Sequence, residues 1–167
     1  MMVARKMTAE INVIIEDVLE GCLDEDWLQD VVAQVLTAEG ITSDAELGLM
    51  VTGQERIQEL NRVYRGKDKP TDVLSFYMSS APGETETGAA LFVTPPDGIL
   101  HLGEVIISYP QAVIQAREHK HPVEKEMAIL IIHGVLHLLG YDHEKPEPAR
   151  RMRTREAEIL SQIEALE

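Results

Sequence analysis

Apolar residues recur along the chain with two periods, and the changes between them mark out the elements. Ile11 to Ile15 reads as a strand. From Asp26 to Ala38, residues Trp27, Leu28, Val31, Val32, Val35 and Leu36 repeat at helical spacing, with Asp24 as a candidate N-cap and Gly40 as the stop. Leu47 to Val51 predicts a short strand, and Gln54 to Tyr64 an amphipathic helix with Ile57, Leu60 and Val63 or Tyr64 turned inward and Gly66 ending it. Val73 to Tyr77 is a β-prone run behind Pro70 and Thr71, and Leu100 to Ser108 alternates as a strand in which Gly103 marks a bulge.

Three helices follow. Pro110 opens one that runs to about His119, and Pro122 opens the next, with Glu124 and Glu126 in a first turn where the helix dipole favours acids. That second helix is almost wholly apolar from Met127 to Leu139, so it is expected to be buried at the centre of the fold. Glu147 to Leu166 forms the last, with Ile159, Leu160 and Ile163 on its core side. Residues 79–98 hold three prolines and three glycines, the composition of a surface loop, and no linker or internal repeat interrupts the chain. Strands and helices mix without strict alternation. The expected class is therefore α+β: one domain over residues 1–167, a small mixed sheet of about four strands covered by five or six helices.

Composition narrows the setting. With 167 residues, 44% hydrophobic and 26% charged, the chain is long enough for a core of its own. Its single cysteine, Cys22, excludes an intrachain disulfide or a cysteine-based zinc site. The longest uncharged apolar stretch, Met127 to Tyr141, has 15 residues including two histidines, short of the ~18 a membrane span needs. No export signal precedes it. A cytoplasmic protein is the expectation, with no membrane partner. The formal charge of −14 argues against general coating of nucleic acid. That charge is uneven, because residues 1–50 carry eleven acids against Arg5 and Lys6. Arg56 to Lys69 holds five basic residues against Glu59 and Asp68, a local +3, and Glu144 to Arg155 repeats that balance with five against Glu144 and Glu147, reading as a solvated helix face or as an extension of a nucleic-acid-facing surface.

The chemistry lies in His133-x3-His137-x2-Gly140-x2-His143. Histidines four apart on a helix project from one face, about one turn apart, as two ligands of one metal ion. Gly140 can take the left-handed conformation that ends the helix and returns His143 as a third ligand. Three imidazoles leave a divalent ion at least one open position, the pattern of a catalytic site rather than a closed structural one. They suit zinc, and equally nickel, copper or iron. Metzincin peptidases share this spacing but carry Glu after the first histidine as general base. Gly134 stands there. The remaining histidines, His101, His119 and His121, read as surface or structural residues.

Three strings together resemble the YbeY family of bacterial endoribonucleases: Tyr64-Arg65-Gly66-Lys67-Asp68-Lys69-Pro70-Thr71-Asp72-Val73-Leu74-Ser75-Phe76, Leu102-Gly103-Glu104-Val105-Ile106-Ile107-Ser108, and the three-histidine string. The resemblance runs from about Asn61 to His143, with a looser match in the acidic first fifty residues. It implies one metal ion, usually taken as zinc, on His133, His137 and His143, and a functional arginine at Arg65. It further implies cleavage of single-stranded RNA, processing of ribosomal RNA including the 3′ end of 16S rRNA, ribosome quality control, and the ribosome or its small subunit as partner, with no DNA. Where the family commonly has Asp, this chain has Glu104, and the 79–98 loop is longer than in compact members. The general base stays open among Glu144, Asp142, Glu104 and the RNA's own 2′-hydroxyl, and Asp142 could instead orient a ligand histidine. Two rivals remain: a non-catalytic ribosome assembly factor with a structural metal, and a metzincin-like metallopeptidase.

Overall fold

A computed structural model describes residues 9–19, 21–41, 44–77, 99–141 and 144–166. The predicted 79–98 loop lies outside them. The chain runs through β1 (Ala9–Ile15), a single 3-10 turn (Asp17–Leu19), α1 (Glu25–Ala38), β2 (Asp44–Thr52), α2 (Gln54–Arg65), β3 (Val73–Tyr77), β4 (Ile99–Ser108), α3 (Tyr109–His119), α4 (Val123–Leu138) and α5 (Pro146–Leu166). The four strands form one sheet in the order β1-β2-β4-β3, parallel between β1, β2 and β4, with β3 antiparallel on the edge. This is the expected α+β fold with a mixed four-stranded sheet. No helix among the described residues is long and apolar enough to cross a membrane.

The local signals act where they were expected. The Asp24 carboxylate accepts from the backbone N–H groups of Asp26 and Trp27, capping α1. Gly103, at φ +125°, sits in the irregularity where β4 slips one residue against β2 between Glu46 and Leu47. Beyond α4, Gly140 takes φ +102°, its N–H bonds to the His137 carbonyl, and that of Tyr141 reaches back to Leu136 at 3.0 Å. These are the paired bonds of a Schellman turn, so the chain does reverse after His137 as the glycine required.

Two layers of side chains cover the sheet. Leu28, Val32 and Leu36 of α1, Ile131 and Val135 of α4, and Met152 and Ile159 of α5 bury one face together with Leu47, Leu49, Val105 and Ile107. Ile57 of α2 closes the other with Leu74 and Ile106. Here the sequence reading needs correction, because Val63 and Tyr64 are 55% and 68% exposed. The inward place is taken by Asn61, one turn after Ile57, whose side-chain amide donates to the Lys69 carbonyl at 2.9 Å. A polar residue is buried there because it holds the loop that follows α2, a task that an apolar side chain cannot perform.

The tightest contact is between α4 and the sheet. A Cβ on Gly134 would stand 2.5 Å from a Val105 methyl and 3.4 Å from the Ser75 hydroxyl oxygen. The Ser75 hydroxyl donates to the Gly134 carbonyl at 3.1 Å. We expect Gly134→Ala to lose about 1–2 kcal/mol, since overpacking a dense core outweighs the ~1 kcal/mol that alanine gains over glycine in a helix. Thermal melts should show it, and Val105→Ala in the same chain should recover part of the loss although it is itself a cavity-forming change.

Candidate functional site

Helix α4 carries the chemistry. α4 is apolar on nearly every side, so the close fit of Gly134 against Val105 fixes its rotation, and the stripe containing His133 and His137 is left half-buried. Their ring centroids are 4.7 Å apart with planes at 77°. The i, i+4 pairing predicted from the sequence is thus present. His143 and Asp142 lie outside the described residues.

A partner for His133 comes from a helix that the sequence did not connect with it. Glu156 of α5 places a carboxylate oxygen 3.1 Å from His133 Nδ1. As the carboxylate can only accept, the ring nitrogen donates, which fixes the tautomer with Nε2 unprotonated in the neutral ring. The cause is helix pairing. Lys125 of α4 meets Glu164 of α5 at 3.4 Å, so the two helices run antiparallel, and the same register sets His133 opposite Glu156. Sequence reasoning missed Glu156 because it sits 23 residues from His133 within a charged helix face, where nothing local marks it.

The turn after α4 is anchored by three side chains. The Tyr141 hydroxyl donates to Glu39 Oε1 at 2.6 Å, Arg155 Nε donates to Glu39 Oε2, and Arg155 also reaches the Ala38 carbonyl and, at 2.9 Å, Glu158. Burial, and then the Glu39 carboxylate beside it, push the Tyr141 phenol up to about 12. Arg155 is therefore committed to the interior and does not extend an RNA-facing cationic face. Arg150, Arg151, Arg153 and Lys145 of that run are exposed.

The other candidates fall on the opposite side of the sheet. Arg65 is on the exposed last turn of α2, followed by Gly66 at φ +71°. Beside it Tyr64 packs edge-on against Phe76, centroids 5.4 Å apart. Glu104 pairs with Phe76 across β3 and β4, and its side chain lies over Gly48, 3.3 Å from where a Cβ would be. Val105, the next residue, points at α4, so alternation turns Glu104 to the α2 face. Glu104 is thereby removed from the candidates for a base beside the imidazoles. Glu144 is exposed just ahead of α5.

A second cluster gives His119 and His121, read from the sequence as surface or structural residues, a shared partner. His119 Nδ1 and His121 Nε2 lie 3.0 and 2.7 Å from the same oxygen, Glu126 Oε1, while Gln115 donates to Oε2 at 3.1 Å. Glu126 is only 2% exposed, so it is an enclosed carboxylate rather than a solvated first-turn acid. Burial pushes its pKa up, but the hydrogen bonds from the two imidazoles and Gln115 more than offset this and hold it below the usual range. His101, in contrast, contacts Glu46 at 3.2 Å in a plain structural pairing.

Comparison with known proteins decides the family. The family model described as endoribonuclease YbeY matches residues 12–164. The chain belongs to this family. An endoribonuclease YbeY of Dehalococcoides mccartyi is 52% identical over 134 residues, covering 80% of this chain and 78% of that one. One from Oceanobacillus iheyensis is 40% identical over 154 residues, 92% and 93% of the two chains. A Thermotoga maritima protein solved in solution superposes with a TM-score of 0.56 at 25% identity, covering 93% of this chain and 92% of its own. The family match also takes in most of the acidic first fifty residues, where the sequence resemblance is looser.

The anchoring of the post-α4 turn makes a prediction. Arg155→Ala strips the mostly buried Glu39 carboxylate of its cation and leaves it facing Tyr141. A loss of about 2 kcal/mol is expected from an unpaired, partly buried charge, or ~4–8 °C in melting temperature for a chain of this size. Arg153→Ala, one exposed neighbour away, should shift it by less than about 2 °C.

Proposed function

We propose that this chain is a metal-dependent endoribonuclease, specific for single-stranded RNA, that acts in ribosomal RNA processing and ribosome quality control in the cytoplasm, including maturation of the 16S rRNA 3′ end. Its family membership supports the reaction class. The observation that carries the metal centre is the facing pair His133 and His137, with Glu156 on His133 Nδ1. In this reading His133, His137 and His143 hold one ion, zinc by preference among the divalent transition metals. The described donors fit: the His133 and His137 imidazoles are half-buried, and a carboxylate orients the first of them, the usual support of a metal-bound histidine.

When bound, such an ion supplies Lewis acidity toward a phosphate oxygen or a water. The protein's own groups do the rest. Glu156 keeps the His133 proton on Nδ1 and so presents Nε2 as the ligand atom. Arg65, the assigned catalytic arginine, lies on the α2 face, so the RNA strand must cross the β3 edge to engage both it and the imidazoles, and its planar fork matches two oxygens of the phosphate it holds there. Tyr64, exposed beside it, offers a ring face on which an unpaired base can stack, which favours single strands. Lys67, Lys69 and Arg62 extend the cationic surface around Arg65 on a protein that is otherwise strongly acidic. Affinity for arbitrary RNA is then low, and the ribosome or its small subunit supplies the context.

The peptidase reading is disfavoured by packing as well as by composition. Residue 134 points at Val105 and Ser75, so no carboxylate could stand there or reach the imidazoles.

Cleavage of a defined single-stranded RNA tests the proposal. Arg65→Glu and His133→Ala should each lower the rate by about 10²-fold or more, as expected for loss of a transition-state contact or of the metal centre. Parent-like rates in both variants, from a nuclease-free preparation, would sink it. Glu156→Gln should weaken metal binding ~10–100-fold and leave Arg65-dependent RNA binding intact. Metal titration against RNA binding separates the two.

A further inference from the structure

We propose that His119, His121 and Glu126 form a second metal site, which takes a divalent transition ion such as zinc and ties the end of α3 to the first turn of α4. The ligand atoms are His119 Nδ1, His121 Nε2 and Glu126 Oε1, all within 4.8 Å of one another.

The local chain is shaped to bring them together. Lys120 has φ +57°, the single non-glycine residue in the left-handed region among those described, and it occupies the place where glycine ends α1 and α4. Its conformation closes a Schellman turn, with Lys120 N–H on the Arg117 carbonyl and His121 N–H on that of Ala116. The turn folds His121 back beside His119, their centroids 5.4 Å apart. Pro122 then starts α4, and Glu126 meets both rings from its first turns.

The donors suit such an ion. Two imidazole nitrogens and one carboxylate oxygen are a borderline set, suited to zinc more than to magnesium or calcium. Gln115 already holds the second Glu126 oxygen, as the outer partners of a ligating carboxylate do. Three protein ligands leave a fourth position for water. Ligands at about 2.0–2.1 Å from a tetrahedral ion stand about 3.3 Å apart, so the present 2.7 and 3.0 Å must widen by a few tenths of an ångström. His119 is exposed at the helix end and can provide this movement. Each neutral ring then carries its hydrogen on the other nitrogen.

The site is separate from the His133 pair. His133 comes seven residues after Glu126 on α4, a rise of roughly 10 Å, whereas paired catalytic ions sit about 3.5–4 Å apart. The role of the second ion is therefore to brace the helix that carries the first.

Zinc bound per full-length chain, measured by equilibrium dialysis and elemental analysis, tests the assignment. The parent should hold one equivalent more than His119→Ala and one more than Glu126→Gln, and His133→Ala should retain that equivalent. His119 is half-exposed, so its variant reports on the site even if Glu126→Gln fails to fold. Cobalt substituted into His133→Ala should show the visible absorption of a four-coordinate site, absent when His119→Ala is added. Equal zinc in the parent and His119→Ala overturns the proposal, as does loss of cobalt absorption with His133→Ala alone. Zinc lost only through His133→Ala would leave the nuclease reading standing while removing this one, so the two fail separately.

Discussion

A methyl group has no room at residue 134, and most of what surrounds the imidazoles follows from that. With no side chain there, α4 lies close enough for the Ser75 hydroxyl to bond its backbone and for Val105 to fill the space a Cβ would claim. This contact sets the rotation of α4, which in turn decides that His133 and His137 look away from the sheet toward α5. The same glycine withholds from the site the carboxylate that a metallopeptidase would place beside its first histidine. The packing requirement and the choice of chemistry are therefore one constraint. A helix seated this closely on its sheet must obtain any proton acceptor from another part of the chain or from the substrate.

The acid excess has comparable structural uses. Glu16 accepts from the Thr52 hydroxyl and the Gly53 N–H at the start of α2, where the N-cap glycine has no side chain to do so. Glu39 joins the end of α1 to Tyr141 and Arg155, Glu126 gathers two imidazoles, and Glu156 orients a third. A net charge that seemed to describe only the solvent-facing surface is spent in part on internal joints. The cationic surface around Arg65 is what remains for an anionic substrate, and it stands on the α2 face with the edge strand β3 between it and α4.

Elements governed by nearest neighbours were readable in advance. Asp24, Gly40 and Gly140 each act within four residues, and each does what its backbone chemistry dictates. The i, i+4 histidine pair was legible for the same reason. What escaped depends on contacts between elements. Asn61 is buried in place of Val63 or Tyr64 because a loop carbonyl eight residues on needs a donor. Glu126 read only as a first-turn acid favoured by the helix dipole, whereas α3 and the turn after it bring Gln115, His119 and His121 against it. Arg155 looked like part of a basic surface until α1 supplied Glu39. Each is a polar residue whose partner lies on another element, and periodicity carries no information about that.

The antiparallel register of α4 and α5 also fixes an order of events. The His133 imidazole is synthesised 23 residues before the carboxylate that orients it. A chain emerging from the ribosome therefore displays the histidines on α4 before α5 can fold back and fix the His133 tautomer. For a protein proposed to cut ribosomal RNA, the site is completed only after the growing chain has moved further from the ribosome that makes it.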